Sequence, residues 1–409
     1  MKLQKTVKIK IGQLSKNKQN ILDRVLRKNA KAINFCLQKA KENKYITHEL
    51  VYKDLRKLNL PSTIVHGCRA KSVEIIKSYK KIKKKKHKTK FPELKNNCAR
   101  YDNVSIKLRK TDNKLYPYFV SLLYKATVSG KHDNRIELPL IVNSDYQKEI
   151  IKQIGEEYKL GSTELVKRNN DFYIHISYSK EINLLVNDES FSPIGIDIGI
   201  NNLAVSVAQS SVRFFSGHRV NWKNEFFREQ RTKLQKNFAF KEIKRLKGKQ
   251  VRYNNFYINN IAKNIVEQAK QEDKPVIVME DLTNIRATTV VRKKQRARHN
   301  SWMFSKLQKC IEYKANWEEI PVVYLDPRYS SQICSKCGEL NKRIRHTYKC
   351  KSCGFEANAD YNAGRNLQRF FKDKFFGEQV SINHTSDINK LETKSMKDIS
   401  VRNLESRSL

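Results

Sequence analysis

Four cysteines near the end of the chain constrain its fold more than any other feature. They form two CxxC pairs separated by twelve residues: Cys334, Cys337, Cys350 and Cys353. Four thiolates in two such turns match the tetrahedral sulfur shell that Zn²⁺ prefers in structural sites. Disulfides or chance spacing are the alternative, but the other four cysteines stand singly within apolar patterns, as free thiols do in a reducing cytosol. We predict a zinc ribbon over residues 330–356 that holds one structural Zn²⁺ and leaves no coordination position open for chemistry.

The chain is strongly basic. Its 409 residues include 83 Lys and Arg against 41 Asp and Glu, a formal net charge of +42. Such a chain repels itself unless a polyanion neutralises the charge, so we predict nucleic acid as its partner. An anionic membrane is the rival polyanion, but no apolar run approaches the roughly 18 residues of a spanning helix. The first residues lack the apolar core of a signal peptide. We therefore expect a cytoplasmic protein without a membrane partner.

Three basic segments are candidates for contact with phosphate. The first ends a predicted helix, the second lies between residues 223 and 252, where eleven Lys or Arg face three Glu, and the third is a loop that follows a predicted strand. A solvated charged face is the ordinary alternative for the first segment. The candidate residues are Lys83, Lys84, Lys85, Lys86, Arg228, Arg231, Lys244, Arg245, Arg292, Lys293, Lys294, Arg296 and Arg298.

The first half of the chain changes its hydrophobic period twice. Residues 1–12 alternate apolar and polar side chains, which predicts a half-exposed strand. From Ser15 the apolar residues recur at helical spacing, and a further helix opens at Pro61-Ser62. Strand patterning returns over residues 91–187 and includes a hairpin that turns at 168–171. We predict a β-barrel domain, residues 1–14 and 88–190, interrupted by a helical lobe at 15–87.

The second half alternates short apolar strands with helices. Strands are predicted at residues 194–200, 203–208, 212–216, 275–280 and 321–325. Helices are expected between the third and fourth strands, between the fourth and fifth, and after the cysteines. This is the order of an RNase H-like α/β domain, which we place at residues 191–329 and 357–376. The polar, patternless tail at 377–409 is predicted to be disordered.

Three acids stand in unusual positions within this order. Asp197 lies in the middle of an apolar strand, Glu280 ends a strand, and Asp360 shares the apolar face of the last helix. Each has an ordinary alternative: a turn cap, a neighbour of a helix N-cap, and a cap of its own helix. In the RNase H-like order, however, all three converge at one edge of the sheet. Clustered carboxylates are stabilised by hard divalent cations, and two Mg²⁺ or Mn²⁺ ions about 4 Å apart activate a water and stabilise the leaving oxygen of a phosphodiester.

Four runs of sequence together resemble the TnpB (OrfB) family of insertion-sequence proteins, which is related to compact type V CRISPR effectors and to Fanzor proteins. These runs are GIDIG at residues 195–199, VMEDL at 278–282, DPRYSSQICSKCG at 326–338 and DYNAGRN at 360–366. The chain departs from the family in reading Asn-Ala-Asp at 358–360 where Asp-Arg-Asp is frequent. It also has two serines, at 330 and 331, where Tyr-Thr-Ser is common.

The resemblance implies a RuvC-like nuclease of a prokaryote, in the cytoplasm and associated with the nucleoid. It would be guided by an RNA that is transcribed from the end of the insertion sequence that encodes the protein. Its partners would be that guide RNA and a double-stranded DNA target. The family's catalytic acids correspond to Asp197, Glu280 and Asp360, and its zinc ligands to the four cysteines. The barrel would be the wedge domain and the inserted helices the recognition lobe, which grip the guide RNA and the short motif beside the target.

Two other classes of function are compatible with the sequence. One is a binding protein without nuclease activity, either an RNA-guided repressor or an accessory transposition factor. The other is a DNA-strand transferase, since RNase H-like transposases use similar acids. The presence of all three acids favours a nuclease over the first class. The ribbon before the last helix favours a TnpB-type protein over the second. The sequence does not specify an oligomeric state.

Overall fold

The computed structural model describes residues 1–43, 46–85, 89–95, 98–125, 134–184, 190–282, 304–326, 329–341 and 346–376. The chain divides into two compact units, of which the first covers residues 2–181 and the second begins at residue 182. The finer domain boundaries proposed above remain predictions, and the predicted disordered tail lies outside the described residues. None of the described helices is both long and apolar enough to span a membrane.

The first unit is built on a seven-stranded antiparallel sheet with strand order β2-β6-β7-β1-β5-β4-β3. Its strands are β1 (Lys2–Ile11), β2 (Cys98–Tyr101), β3 (Ile106–Lys110), β4 (Tyr118–Leu123), β5 (Arg135–Ile141), β6 (Lys159–Arg168) and β7 (Asp171–Glu181). The predicted hairpin is confirmed as β6 and β7. In the described part of the unit, however, β2 and β3 are edges and do not pair with each other. The predicted closed barrel is therefore seen only as an open sheet.

Helices cover the β2 edge of this sheet. Three are inserted between β1 and β2, at the place where the strand pattern is interrupted: α1 (Lys16–Asn43), α2 (His48–Arg56) and α3 (Ser62–Lys85). Both α1 and α3 contact β2, so the short edge strand is shielded by helices rather than by another strand. A fourth helix, α4 (Asp145–Gln153), follows β5. The sequence predicted α1 and α3 but missed α2 and α4, because each spans nine residues and buries only two apolar side chains.

The second unit contains a five-stranded sheet with strand order β10-β9-β8-β11-β12. Its strands are β8 (Ser192–Asp197), β9 (Asn202–Val207), β10 (Val212–Ser216), β11 (Pro275–Glu280) and β12 (Val322–Leu325), and its helices are α5 (His218–Lys236), α6 (Phe240–Ala269), α7 (Phe304–Trp317) and α8 (Ala359–Phe376). The strands β8, β9 and β10 are antiparallel neighbours, whereas β11 is parallel to both β8 and β12. The order of elements predicted from the sequence is observed here.

The two faces of this sheet are covered by different helices. On one face, Ile196 and Met279 pack into a large core with side chains of α6 and α7. On the other face, Val276 and Val278 pack against Leu367 of α8 in a smaller core. Because both faces are covered, β8 and β11 read as continuous apolar runs, as central parallel strands do.

The contact between α8 and β8 is a backbone contact. A Cβ atom at Gly195 would lie 1.9 Å from the carbonyl oxygen of Gly364, and a Cβ at Gly364 would lie 2.6 Å from Cγ2 of Val207. Both positions therefore require glycine. Close by, Gln368 is buried and donates hydrogen bonds of 2.9 Å to the carbonyl oxygens of Pro193 and Val207. The helix is thus held to β8 and β9 by close approach and by a buried amide.

We expect Gly195→Ala to force α8 away from the sheet and to lower the free energy of unfolding of the second unit by about 3 kcal/mol. Residues 2–181 contain no tryptophan, so the tryptophan fluorescence during urea unfolding reports on the second unit. The matched control is Gly248→Ala inside α6, where the added Cβ would meet only the guanidinium of Arg252 at 3.4 Å. That change should stabilise the helix by about 0.5–1 kcal/mol. Equal unfolding midpoints for Gly195→Ala and the wild type would contradict the close-packing argument.

Candidate active site and zinc centre

Two of the three acids end neighbouring strands. Asp197 is the last residue of β8 and Glu280 the last of β11, so Asp197 does not interrupt a strand as the sequence suggested. The parallel register pairs Ile196 with Met279, and each acid is the next residue along its strand. Neighbouring strands lie about 4.8 Å apart, and successive side chains point to opposite faces. Since Ile196 and Met279 face α6 and α7, the two acids are directed toward the face that α8 covers.

The third acid lies in the first turn of α8. Oδ2 of Asp360 accepts a hydrogen bond of 2.8 Å from the side-chain amide of Asn202, the first residue of β9. Asp360 does not cap its helix. The side chain of Asn358 does so, because its Oδ1 accepts from the backbone amides of Asp360 at 2.9 Å and Tyr361 at 3.3 Å. The Asp360 side chain is therefore held at the strand edge by β9.

Two neutral side chains donate hydrogen bonds to Glu280. Its Oε1 accepts from the hydroxyl of Ser330, and its backbone carbonyl accepts from the side chain of Gln308 at 2.6 Å. Like Asp197 and Asp360, its side chain is half-buried. In the described part of the chain, only the four cysteines bring three or more ligand atoms of His, Cys, Asp or Glu within 4.8 Å of one another. The three acids are less tightly grouped, as expected for like charges, and two of them accept hydrogen bonds from Asn202 and Ser330.

The four cysteines form a compact sulfur cluster. The Sγ atoms of Cys334 and Cys353 are 3.7 Å apart, and those of Cys337 and Cys350 are 3.6 Å apart. A tetrahedral Zn²⁺ with Zn–S bonds of about 2.3 Å requires sulfurs about 3.8 Å apart, whereas a disulfide requires about 2.05 Å. The sulfur spacing therefore fits a structural zinc ion and rules out disulfides among these cysteines.

Each CxxC turn ends on a glycine that the turn requires. Gly338 and Gly354 follow the two pairs and have φ angles of +83° and +70°. Their backbone amides donate to the carbonyl oxygens of Cys334 at 2.9 Å and Cys350 at 3.2 Å. A left-handed residue at this position is adopted by glycine without steric cost, so the sequence pattern is CxxC followed by Gly in both turns. Strands β13 (Thr347–Lys349) and β14 (Glu356–Asn358) complete the ribbon.

The thiols of the cluster differ in acidity. Burial opposes ionisation of Cys350, but hydrogen bonds from the backbone amides of Cys353 and Ser352 and from neighbouring thiols outweigh it and lower its pKa to about 7. At Cys337 a backbone hydrogen bond from Glu339 favours the thiolate, yet desolvation and competition with the other three thiols raise its pKa to about 12. Four thiolates can therefore exist together only if a cation balances their charge, and four sulfur donors suit Zn²⁺ in that role.

Two buried asparagines join the ribbon to the helix that carries Asp360. Asn362 and Asn366 are one turn apart on α8 and fully buried. The side-chain amide of Asn362 donates to the carbonyl oxygen of Ile333 at 2.7 Å, and its Oδ1 accepts from the amide of Ser335 at 2.9 Å. Asn366 donates to the carbonyl oxygens of Ser330 and Ile333, both at 2.7 Å.

Sequence reasoning assigned no role to these asparagines or to Asn202. The signal for the first two was present in the DYNAGRN run, where two amides repeat at i and i+4 on the apolar side of a helix. Nothing local marked Asn202, which reaches Asp360 only through the tertiary fold.

The basic candidates are only partly described. Lys83 and Lys84 are exposed near the end of α3, which ends at Lys85. On α5 and α6, Arg228 pairs with Glu225 and Arg245 with Glu242, Arg231 donates to Gln250, and Lys244 is exposed. The two ion pairs are exposed and join residues three apart, so they hold the arginines only weakly. The remaining candidates, Lys86, Arg292, Lys293, Lys294, Arg296 and Arg298, lie outside the described residues.

The chain is similar to known proteins in sequence and in fold. A family model described as the Cas12f1-like TNB domain matches residues 304–367. The chain is 29% identical over 267 residues to the CRISPR-associated endodeoxyribonuclease Cas12f1 of Sulfoacidibacillus thermotolerans, an alignment that covers 60% of this chain and 62% of that protein. The fold is similar to that of Cas12f1 in the cryo-EM structure of the Cas12f1–sgRNA–target DNA complex, with a TM-score of 0.56 at 18% identity over 87% of this chain and 83% of that one.

The alignment with a second relative covers most of that relative's length. This relative is a TnpB-like protein of Methanocaldococcus jannaschii, 32% identical to this chain over 248 residues. The alignment covers 57% of this chain and 86% of that protein. The motifs, the four-cysteine cluster and this similarity lead to one assignment: the chain belongs to the TnpB-like protein family.

Proposed function

We propose that the chain is an RNA-guided DNA endonuclease of a transposable element, with a RuvC-like site formed by Asp197, Glu280 and Asp360. The observation that carries the proposal is the placement of the first two acids at the ends of adjacent parallel strands, on the face covered by the helix whose first turn holds the third. A relative named an endodeoxyribonuclease, and a relative of similar fold solved with guide RNA and target DNA, support it.

The donor chemistry of the three acids fits hard divalent cations. Their ligands are carboxylate oxygens on half-buried side chains, which Mg²⁺ and Mn²⁺ prefer and which a phosphodiester could reach. When bound, such ions supply activation of water and stabilisation of the leaving oxygen. The chain itself would orient the ligands: Asn202 fixes the Asp360 carboxylate and Ser330 fixes that of Glu280. Guide pairing would provide sequence specificity, and the protein would read duplex shape and a short flanking motif.

The zinc ribbon would contribute to the same site by positioning the helix that carries Asp360. Ser330 and Ile333 precede the first CxxC pair, and both offer carbonyl oxygens to the buried asparagines of α8. The ribbon and α8 therefore share hydrogen bonds, and the folded ribbon would hold the helix start that carries Asp360. A structural Zn²⁺ bound by the four cysteines would stabilise this arrangement without taking part in chemistry.

A second function is favoured by one observation. The three acids do not form a compact ligand group, and Asp360 and Glu280 are hydrogen-bonded to Asn202 and Ser330. If the acids stay in this arrangement and do not bind divalent ions, the chain would be a nuclease-independent, RNA-guided repressor that keeps them only as part of the fold. A strand transferase has no such observation in its favour. Cleavage and binding measured on the same variants separate the first two functions.

We expect Asp197→Asn, Glu280→Gln and Asp360→Asn each to lower cleavage of matched DNA by about 100-fold or more, because each removes one carboxylate ligand. The assay uses the protein with its copurified guide RNA and Mg²⁺, and EDTA should abolish cutting. Binding of RNA and DNA should be retained. Asp273→Asn, an exposed acid of the same unit, is the matched control and should cut normally. Wild-type cutting by Asp197→Asn would disprove the site, and the absence of cutting by the wild type would favour the repressor.

Elemental analysis of the purified protein should find about one zinc per chain. Cys350→Ser should lose the metal and also lower cleavage, because the ribbon that anchors α8 would lose its folding free energy. Cys310→Ser changes a half-buried free thiol on α7 and should keep both zinc and activity. An active wild-type preparation that contains no zinc would refute the structural role of the metal.

A further inference from the structure

The turn between α5 and α6 exposes two aromatic rings. Helix α5 ends at Lys236 and α6 begins at Phe240, and both helices pack against each other. Phe238 and Phe240 are 76% and 71% exposed. Their rings meet edge to face with centroids 6.4 Å apart. We call these two rings the tip pair. So exposed a pair contributes little to the core of its own unit.

The backbone is strained at Phe238, one of the two exposed rings. Phe238 has a φ angle of +52°, in the left-handed region where helices usually end on glycine or asparagine. Its amide donates to the carbonyl oxygen of Gln235 at 3.1 Å, and the next amide, of Ala239, donates to that of Leu234 at 3.0 Å. The following cap residue is Ala239, which offers no side-chain acceptor to α6. A bulky residue in this conformation is disfavoured, and such strain is concentrated at functional positions.

The tip pair is surrounded by positive charge. Residues 231–249 include eight Lys or Arg and one acid, Glu242, which pairs with Arg245. Lys236 and Lys241 flank the two phenylalanines, and both are exposed. A second copy of the chain would bring the same charges to the same place, so self-association through the tip is opposed by repulsion. A polyanion with flat apolar faces is the complementary partner.

We propose that Phe238 and Phe240 stack on unpaired bases of the guide RNA while Lys236 and Lys241 contact the adjoining phosphates. The identity of the partner rests on the proposed function. Aromatic rings beside cations bind single strands in this way because every base has a π-face. We favour RNA over DNA because two exposed apolar rings indicate a surface that is usually occupied by a partner. In the proposed function the guide RNA stays bound to this chain of net charge +42, whereas the target DNA binds and dissociates.

The tip has a binding role remote from the acids. Helix α5 has 19 residues, so at 1.5 Å per residue the tip lies about 28 Å from the start of that helix, next to the sheet. Loss of the tip pair should therefore change how RNA is held without changing the chemistry of the acids.

Ultraviolet cross-linking of the protein to its copurified RNA, followed by digestion and mass spectrometry, shows which peptide contacts the RNA. Trypsin releases residues 237–241 as one short peptide that contains both rings. We expect this peptide to carry a ribonucleotide adduct in the wild type and to lose it in the double variant Phe238→Leu, Phe240→Leu. Phe214, a half-exposed ring on the edge strand β10, supplies the control: Phe214→Leu should leave the adduct unchanged.

Salt titration separates stacking from charge. Affinity for a single-stranded oligoadenylate RNA should fall about tenfold or more in the double leucine variant, with an unchanged slope of log affinity against log salt. Lys236→Gln with Lys241→Gln should instead reduce that slope by about 1.4. Phe238→Gly removes both the ring and the strain, so it should lose affinity and yet unfold at no lower temperature than the wild type.

Three results would overturn the proposal. One is an absent adduct with unchanged oligoadenylate affinity. Another is an adduct of deoxyribonucleotide mass alone when target DNA is added, which would assign the tip to DNA. The third is a change in sedimentation of the free protein on replacing the tip pair, which would make it a surface for self-association. In each case cleavage by the wild-type protein, and its loss in Asp197→Asn, would leave the proposed nuclease function intact.

Discussion

The close approach of Gly364 to Gly195 is the constraint on which the second unit depends. Without side chains at these two positions, the backbone of α8 lies directly against β8, and the amide of Gln368 reaches the carbonyl oxygens of β8 and β9. This distance determines where the start of α8 falls. It brings the first helical turn, with Asp360, within hydrogen-bonding range of Asn202 at the strand edge. A single methyl group between the two backbones would move the third acid away from the other two.

A second set of contacts holds α8 from its other side. The ribbon is inserted between β12 and α8, and its first cysteine turn accepts and donates hydrogen bonds to two buried asparagines of that helix. The NH₂ groups of both asparagines and the Oδ1 of Asn362 keep these partners only if the turn around Cys334 keeps its shape. Buried polar groups without partners are costly, so the helix and the ribbon specify each other. The structural metal is linked in this way to the geometry of the acids without touching them.

The sequence predicted the elements that have a clear hydrophobic period and the site that has a characteristic residue spacing. The strand β11 was predicted with its observed bounds, because an apolar run between Pro275 and a terminal Glu280 has few alternatives. Helices α2 and α4 were missed because nine residues show too little period, and their caps at Thr47 and Ser144 are common loop residues. The barrel was expected because alternating strands do not reveal whether the edges meet. The spacing of the four cysteines predicted the sulfur cluster directly.

The acids of the candidate site could be predicted from the sequence, but the residues that hold them could not. The three carboxylates stood out because each is costly in an apolar setting. Their partners did not, because Asn202 and Ser330 are ordinary polar residues until the fold brings them to Asp360 and Glu280. The strand edge at Asp197 was also misjudged. The run that contains it stays apolar for three more residues, although the strand itself ends at the acid.

The unequal cores of the second unit have a consequence for how it opens. The core under α6 and α7 buries many large aliphatic side chains, whereas the core under α8 is smaller and receives Leu367, Phe370 and Phe371 from that helix. Regions that bury less apolar surface undock at lower free energy than the global fold. We therefore expect α8 and its ribbon to open as one segment before the face under α6 and α7 does. Amide hydrogen exchange would then be faster in α8 than in the sheet beneath it, and such opening would remove the third acid from the site.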